Sequence, residues 1–371
     1  MKVENLFFEL LQVALGTREV LSRNPSEEEW ATLLDVSLKQ AVGGITFLSI
    51  EKLSNKGLKP PQTILYEWIA INERIRQQNE LFNKEAARLT SLFESVGCHS
   101  VILKGQANAR LYPERLSRQP GDIDIYVEGG QEYVLQILRG LGLINEIGEY
   151  VCDGEPIASY HHIDLPKTEN GVCIEVHYRP SSGLYNPFNN RKLQGFLVEE
   201  AHRETTLVEE GFYVPSLRFA LVMQLAHILH HAIDEGVGLR QVVDYYFLIK
   251  DNNIERSEIM NILCQTGLEG FAGALMWVLG CCLKLEEKDM IAEPNEKRGR
   301  ILMERIMHGG NFGQYNQKPH GIFTRNLYMI RFRLKDIALC PSEVLWCELQ
   351  HIWFLLSSIP ARFQRRKISL G

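Results

Sequence analysis

Residues 121–130, GDIDIYVEGG, constrain the fold more than any other stretch of this chain. Ile123, Ile125, Tyr126 and Val127 spell a short buried strand, yet Asp122 and Asp124 interrupt it. At positions i and i+2 of a strand both carboxylates point to one face, ~7 Å apart at a rise of about 3.3 Å per residue. Mutual repulsion and lost hydration oppose that arrangement. Either a positive charge sits between them or the strand end is wet.

The surrounding pattern changes at residue 99. Upstream, residues 1–97 carry apolar positions at three- and four-residue spacing, with a capping signature at Ser26 and Glu29. A long helix is predicted after Pro60-Pro61, closing at Gly97. HSVILK (99–104) reads as a strand, GQANARLY (105–112) as a short helix and DIDIYV (122–127) as a second strand. EYVLQILRGLG (132–142) has the period of an amphipathic helix. SYHHIDLP (159–166) and VCIEVHYRP (172–180) alternate like strands, and KTENG between them predicts a hairpin turn. From about 216 the helical period returns in four segments, LRFALVMQLAHILHHAI first, and two more helices are expected between 319 and 360. The layout predicts an α+β protein: an N-terminal helical region (1–97), a core with a small mixed β-sheet (98–215) and a C-terminal helical bundle (216–371).

Glu175, on the strand CIEVHY, supplies a third carboxylate to join Asp122 and Asp124. Three hard oxygen donors on rigid strands suit Mg²⁺, or Mn²⁺ in its place, which takes one or two carboxylates together with phosphate and water. Two such ions polarise a transferring phosphoryl group and stabilise its attacking and leaving oxygens. Upstream, a strand runs into Lys104-Gly105 and then a helix, so the backbone can approach a phosphate there. Arg110, Arg115 and Arg118 follow as cation candidates before the aspartates. On the predicted hairpin, His162 and Asp164 share one face with Glu175 or His177, and the register decides which of them meet. Asp164 therefore competes with Glu175 for the third carboxylate position.

LKG (103–105), LYP (111–113), GDIDIYV (121–127), IEVHYRP (174–180) and the later LAHILHHA (225–232) and LRQVVDYY (239–246) occur here in one order. That order resembles the DNA polymerase β-like nucleotidyltransferase superfamily, and within it the uncharacterised bacterial nucleotidyltransferase family. The resemblance covers roughly residues 99–285 and is specific in combination rather than in any one piece. It implies a nucleotidyltransferase core, Asp122 and Asp124 as the metal-binding pair, Glu175 as the third carboxylate and Gly105 under the nucleotide phosphates. The superfamily usually has Gly-Ser at the helix start, whereas this chain has Gly105-Gln106. No hydroxyl is available there, so Lys104 or Arg118 is expected to hold the phosphates, Arg118 first because it directly precedes the aspartate strand.

The implied reaction is Mg²⁺-dependent transfer of a nucleoside monophosphate from an NTP, with ATP as the first expectation, to a hydroxyl of a small-molecule or protein acceptor. The alternative is an inactive module of the same fold that binds a nucleotide or partner protein. His162, His177, His227 and His231 are expected on the acceptor side. A third reading takes the His227–Asp234 helix as a zinc-dependent phosphohydrolase element, but its two i, i+4 pairs lie on two faces. Arg240 and Asp244 are expected to pair as i, i+4 neighbours.

Composition serves to exclude. With 45% hydrophobic and 23% charged residues the chain is not mostly disordered, and a net charge of -6 argues against a long nucleic-acid partner. Eight cysteines contain no CxxC pair and read as reduced core thiols, as in a cytoplasm. Glu4 and Glu9 break the apolar N-terminus, and Glu348 and His351 break the longest apolar run near the end, so neither a signal peptide nor a membrane span is expected. The basic cluster at Arg362, Arg365, Arg366 and Lys367 reads as a solvated tail.

Overall fold

The computed structural model describes residues 2–144, 151–152, 155–156, 159–250, 254–310 and 335–353. Four helices lead the chain: α1 (Lys2–Leu15), α2 (Glu27–Lys39), α3 (Gly43–Ser54) and α4 (Gln62–Ser95). The capping box forms at α2, where Ser26 Oγ accepts from the Glu29 amide at 3.3 Å and Glu29 accepts from the Ser26 amide at 2.9 Å. Next come β1 (Ser100–Ile102), a single-turn α5 (Gln106–Ala109), β2 (Ile123–Val127) and α6 (Gly130–Gly140). A separate pair, β3 (Val151–Cys152) and β4 (Glu155–Pro156), precedes the hairpin β5 (His162–Leu165) and β6 (Ile174–His177). Helix α7 (Pro187–Arg203) and the small ladder β7 (Thr205–Leu207) and β8 (Tyr213–Pro215) lead into α8 (Leu217–Asp234) and α9 (Leu239–Ile249). Helices α10 (Arg256–Thr266), α11 (Glu269–Val278) and α12 (Glu296–Gly309) follow, and residues 341–353 are helical. The rest of the helices expected between 319 and 360, and the basic tail, lie outside the described residues.

The fold is α+β around one mixed four-stranded sheet of order β1-β2-β6-β5. β2 is antiparallel to β1 and parallel to β6, and β5 returns antiparallel to β6 through the predicted hairpin. In its turn the Gly171 amide donates to Thr168 O at 2.8 Å, with Gly171 at φ +77. β2 is buried along its whole length, which is why Ile123, Ile125 and Val127 alternate with side chains that are also out of bulk water.

Two hydrophobic cores organise the molecule. One lies under the sheet, where Ile123, Ile125 and Val176 pack with Phe82, Leu89 and Phe93 of α4 and with Val134 and Leu138 of α6. The other joins helices from both ends of the chain, Leu10, Trp30 and Ile45 packing in one cluster with Leu225, Phe271 and Leu302. Polar ties cross it as well: Gln12 Nε2 donates to Cys282 O at 2.8 Å and Gln40 Nε2 to Ile306 O at 2.9 Å. The division at 97 and 215 therefore follows chain order, whereas in space the first and last helical regions share a core. Helix α4 connects the two. Its 34 residues, about 50 Å at 1.5 Å per residue, bury Ile64 and Trp68 in the helical core and Phe82, Leu89 and Phe93 under the sheet.

Candidate active site

Register brings the acidic residues together. Asp124 on β2 lies opposite Glu175 on β6, and Glu175 lies opposite Asp164 on β5, so three carboxylates form a row across the sheet. One step further, Tyr126, His177 and His162 form the next row by the same pairings. Asp122, just before β2, extends the face. Asp122, Asp124 and Glu175 all line a cavity of about 270 Å³, while Asp164 lines a neighbouring one. That geometry favours Glu175 over Asp164 beside the aspartates.

Lys104 and His177 balance the row. Lys104 Nζ lies 2.7 Å from Asp124 Oδ2 and 3.7 Å from Asp122 Oδ1. His177 Nε2 lies 3.0 Å from Asp124 Oδ1 and 3.3 Å from Glu175 Oε2. Burial alone would raise the Asp124 carboxyl, but Lys104 and the His177 hydrogen bond hold it well below the usual range. Burial would lower His177, and its bonds to Asp124 and Glu175 instead lift it to about 9. Asp122 moves the other way, raised by burial and by the neighbouring Asp124 charge. The opening question has a local answer: in the protein by itself an ammonium and an imidazolium stand against the two aspartates. Lys104, expected to contact phosphate, is thus also the counter-ion of the carboxylates.

Gly105 and Arg118, expected near the nucleotide phosphates, each have a structural role as well. Gly105 adopts φ +63 and ψ −104, which only glycine takes without strain, and turns β1 into α5. Helix α5 is one turn long, shorter than the GQANARLY pattern suggests. The space bordered by Gly105, Arg118 and Arg240 is about 10 Å³, room for a single water. Arg118 is buried and bidentate to Asp244, with Nε to Oδ1 at 2.8 Å and Nη2 to Oδ2 at 2.9 Å. Tyr112 donates to Asp244 Oδ1 at 2.7 Å. Both oxygens of Asp244 are thereby engaged, whereas Arg240 donates to Gln119 O at 3.2 Å. Gln106, in place of the superfamily's serine, points back to α4, where Nε2 donates to Asn83 Oδ1 at 2.6 Å. Arg110 and Arg115 pair with Glu210 and Glu209 on the surface side.

The histidines of the sheet and of α8 face one another across the cavity. His162, His177, His227 and His231 all line it. His161 and His230 line it too, along with Ser181; the adjacent histidine doublets in the sequence were the signal for the first two. Burial and the neighbouring His231 push His227 well down, and burial takes His231 to about 3, so both are neutral at physiological pH. His230 lies 3.4 Å from Asp234, whose carboxylate also accepts from Tyr185. Among the described residues, the groupings close enough to hold a metal come from the sheet and none from α8 alone. The zinc phosphohydrolase reading of that helix has no ligand set there.

The residues fit a divalent cation. Oxygen donors from Asp124 and Glu175 and a nitrogen of His177 lie within 4.8 Å of one another, and Asp122 borders the same cavity. The positive charge now beside them is what a cation would supply. Among the described residues no helix is long and apolar enough to cross a membrane.

Residues 26–284 match the model of a family described as uncharacterised nucleotidyltransferase. No curated protein matches the chain. Among solved structures the chain is similar to an antigenic nucleotidyltransferase-like protein from Paracoccidioides brasiliensis, at 16% identity and a TM-score of 0.32, covering 54% of this chain and 91% of that one.

Proposed function

The chain belongs to the uncharacterised nucleotidyltransferase family, and from that premise we propose that it transfers a nucleoside monophosphate from an NTP to a hydroxyl acceptor. The observation that carries the proposal is the in-register pairing of Asp124 with Glu175 beside Asp122, all three facing one cavity. ATP is the donor we would test first, and a small molecule or protein the acceptor.

Two cavities meet at the carboxylates. Asp122 and Glu175 border both the one of about 270 Å³ and a second of about 510 Å³ lined by Gln119, Gly121, Arg240 and Leu38. The smaller falls below the size of a typical small-molecule site, so it suits a phosphate chain or an acceptor group better than a whole nucleotide. Donor and acceptor would then approach the carboxylate row from opposite sides, with Lys104 against the phosphates. In the reaction the acceptor oxygen bonds to the α-phosphorus, the bond from that phosphorus to the bridging oxygen breaks, and pyrophosphate leaves. Glu175 takes the hydroxyl proton. Asp122, Asp124 and Glu175 would hold Mg²⁺ or Mn²⁺, which when bound supplies positive charge to the transferring phosphoryl group. The remaining acceleration is positioning by rigid strands.

The rival reading is a module that binds without turnover. It draws on Lys104 and His177 already compensating Asp124 and on the filled space beside Gly105. Incubation with α-labelled NTPs, Mg²⁺ and an extract of candidate acceptors separates them. Transfer should yield labelled acceptor and stoichiometric pyrophosphate, both abolished in Glu175→Gln. Nucleotide binding without pyrophosphate for every NTP and acceptor pool would favour the rival.

A further inference from the structure

The larger of the two cavities carries features that holding a metal does not use. At about 510 Å³ it falls in the range of small-molecule sites, which the cavity of about 270 Å³ does not reach. Leu38, in the last turn of α2, and Ala41, in the turn to α3, line part of it, and Pro120 adds apolar surface from the loop before β2. Ala41 holds φ +53, a conformation uncommon outside glycine that persists only where the surroundings impose it. Gln40 imposes it here. Its carbonyl accepts from the Arg240 amide at 3.3 Å and its Oε1 from the Leu239 amide at 3.0 Å. The turn is thereby bound to the start of α9, and Arg240 lines the same cavity. Its guanidinium lies on Gly121, where a Cβ would meet Nη1 at 2.9 Å and Nη2 at 3.2 Å. The bare glycine backbone lets the arginine come this close to the residue before Asp122.

We propose that this larger cavity is the site of the nucleotide donor, its base packed on Leu38, Ala41 and Pro120 and its β- and γ-phosphates held by Arg240. The inference rests on the nucleotidyl-transfer reading and adds to it a place and a cation for the donor. A nucleotide presents apolar base faces at one end and a chain of phosphates at the other, and the cavity supplies a surface for each. The planar guanidinium suits the phosphates, since its forked N–H groups match two oxygens at once. The α-phosphate has to lie at the carboxylates, and Asp122 and Glu175 stand where this cavity meets the smaller one. With the donor on this side, the acceptor hydroxyl enters from the cavity walled by histidines. The assignment also gives the N-terminal helices a task, because α2 and its turn supply part of the apolar surface for the base.

Cys173 offers a test that reads no activity. It is a free, half-buried cysteine lining the larger cavity, two residues before Glu175. Full-length protein is alkylated with iodoacetamide in Mg²⁺, with and without each of the four α,β-methylene NTPs, and labelling is read cysteine by cysteine by mass spectrometry. At roughly ten times its Kd, an analogue in the cavity should slow labelling of Cys173 about tenfold. Labelling of the exposed Cys264 and Cys281 should not change. Equilibrium dialysis gives the affinities in parallel. Arg240→Gln should weaken analogue binding by about 10- to 100-fold. Leu38→Trp, which fills the cavity from a half-buried position, should weaken it about tenfold or more. Thermal melts identify which variants are folded, and Leu38→Trp carries the test if Arg240→Gln is not. An analogue that binds while Cys173 reacts at its free rate would overturn the donor site and leave nucleotidyl transfer standing, as would full affinity in the folded variants. Failure of all four analogues to bind would overturn the transfer reading itself, and this site with it.

Discussion

Two buried charge clusters border the small gap beside Gly105, and they are built on opposite plans. In the first, Arg118 and Asp244 meet in a bidentate pair completed by Tyr112, and every oxygen of the carboxylate is engaged. In the second, Lys104 and His177 face three carboxylates, Asp122, Asp124 and Glu175, at the wall of a cavity. Burial is similar: Arg118 is 5% exposed and Asp124 1%. Burial of charge therefore does not mark the site. What marks it is an excess of one sign open to a cavity, an arrangement that favours added positive charge and that a purely structural cluster would avoid.

If the clusters differ in this way, they should fail differently. Asp124→Asn should lower nucleotidyl transfer at least about a thousandfold, roughly 4 kcal/mol of transition-state stabilisation. Its stability should fall by less than that of Asp244→Ala, since Lys104 and His177 lose the carboxylate between them but keep Asp122 and Glu175. Asp244→Ala should do the reverse. It strands a buried guanidinium, which costs about 3–5 kcal/mol, read as a shifted urea midpoint at unchanged slope. Equal destabilisation in both variants would erase the distinction.

Much of the open cluster was legible in the sequence, and little of the closed one. Asp122 and Asp124 at i and i+2 share a face by the geometry of any strand, and the Asn-Gly turn marked the hairpin that carries Glu175, although its place beside Asp124 comes from the parallel β2–β6 pairing. Local patterns carry that kind of information. Asp244 lies 126 residues from Arg118, and no local rule couples them; the i, i+4 spacing pointed to Arg240 instead. The shared core of the first and last helices escaped for the same reason, because an apolar stripe says that a helix is covered but not by what. Lys104 was placed correctly at the strand end, but its pairing with the aspartates depends on the β1–β2 alignment. Gly105 shows the limit from another side. A glycine at a strand-helix junction suits close phosphate approach, and it equally suits a turn at φ +63. The two uses differ in their response to a methyl group. Gly105→Ala should cost about 1–3 kcal/mol from backbone strain, while NTP affinity should hold within a few-fold, as equilibrium dialysis would report. A large loss of affinity in a stable variant would return the phosphates to Gly105.

The smallest effect probes what lies between the clusters. Asn79, fully buried on α4, donates through Nδ2 to Leu116 O at 2.9 Å and Arg118 O at 2.7 Å. The same loop runs from Arg118 in the closed cluster to Asp122 in the open one, so one amide holds the segment that joins them. Asn79→Ala leaves two carbonyls short of a donor, at a cost of about 1–2 kcal/mol. If the clusters are coupled only through the fold, transfer activity should fall several-fold, through kcat rather than KM, because the carboxylates are displaced while phosphate contacts persist. A drop as large as that of Asp124→Asn, in protein still folded, would instead make α4 part of the catalytic apparatus. The closed cluster would then serve as the rigid mount of the open one, and charge balance alone would no longer separate structure from function here.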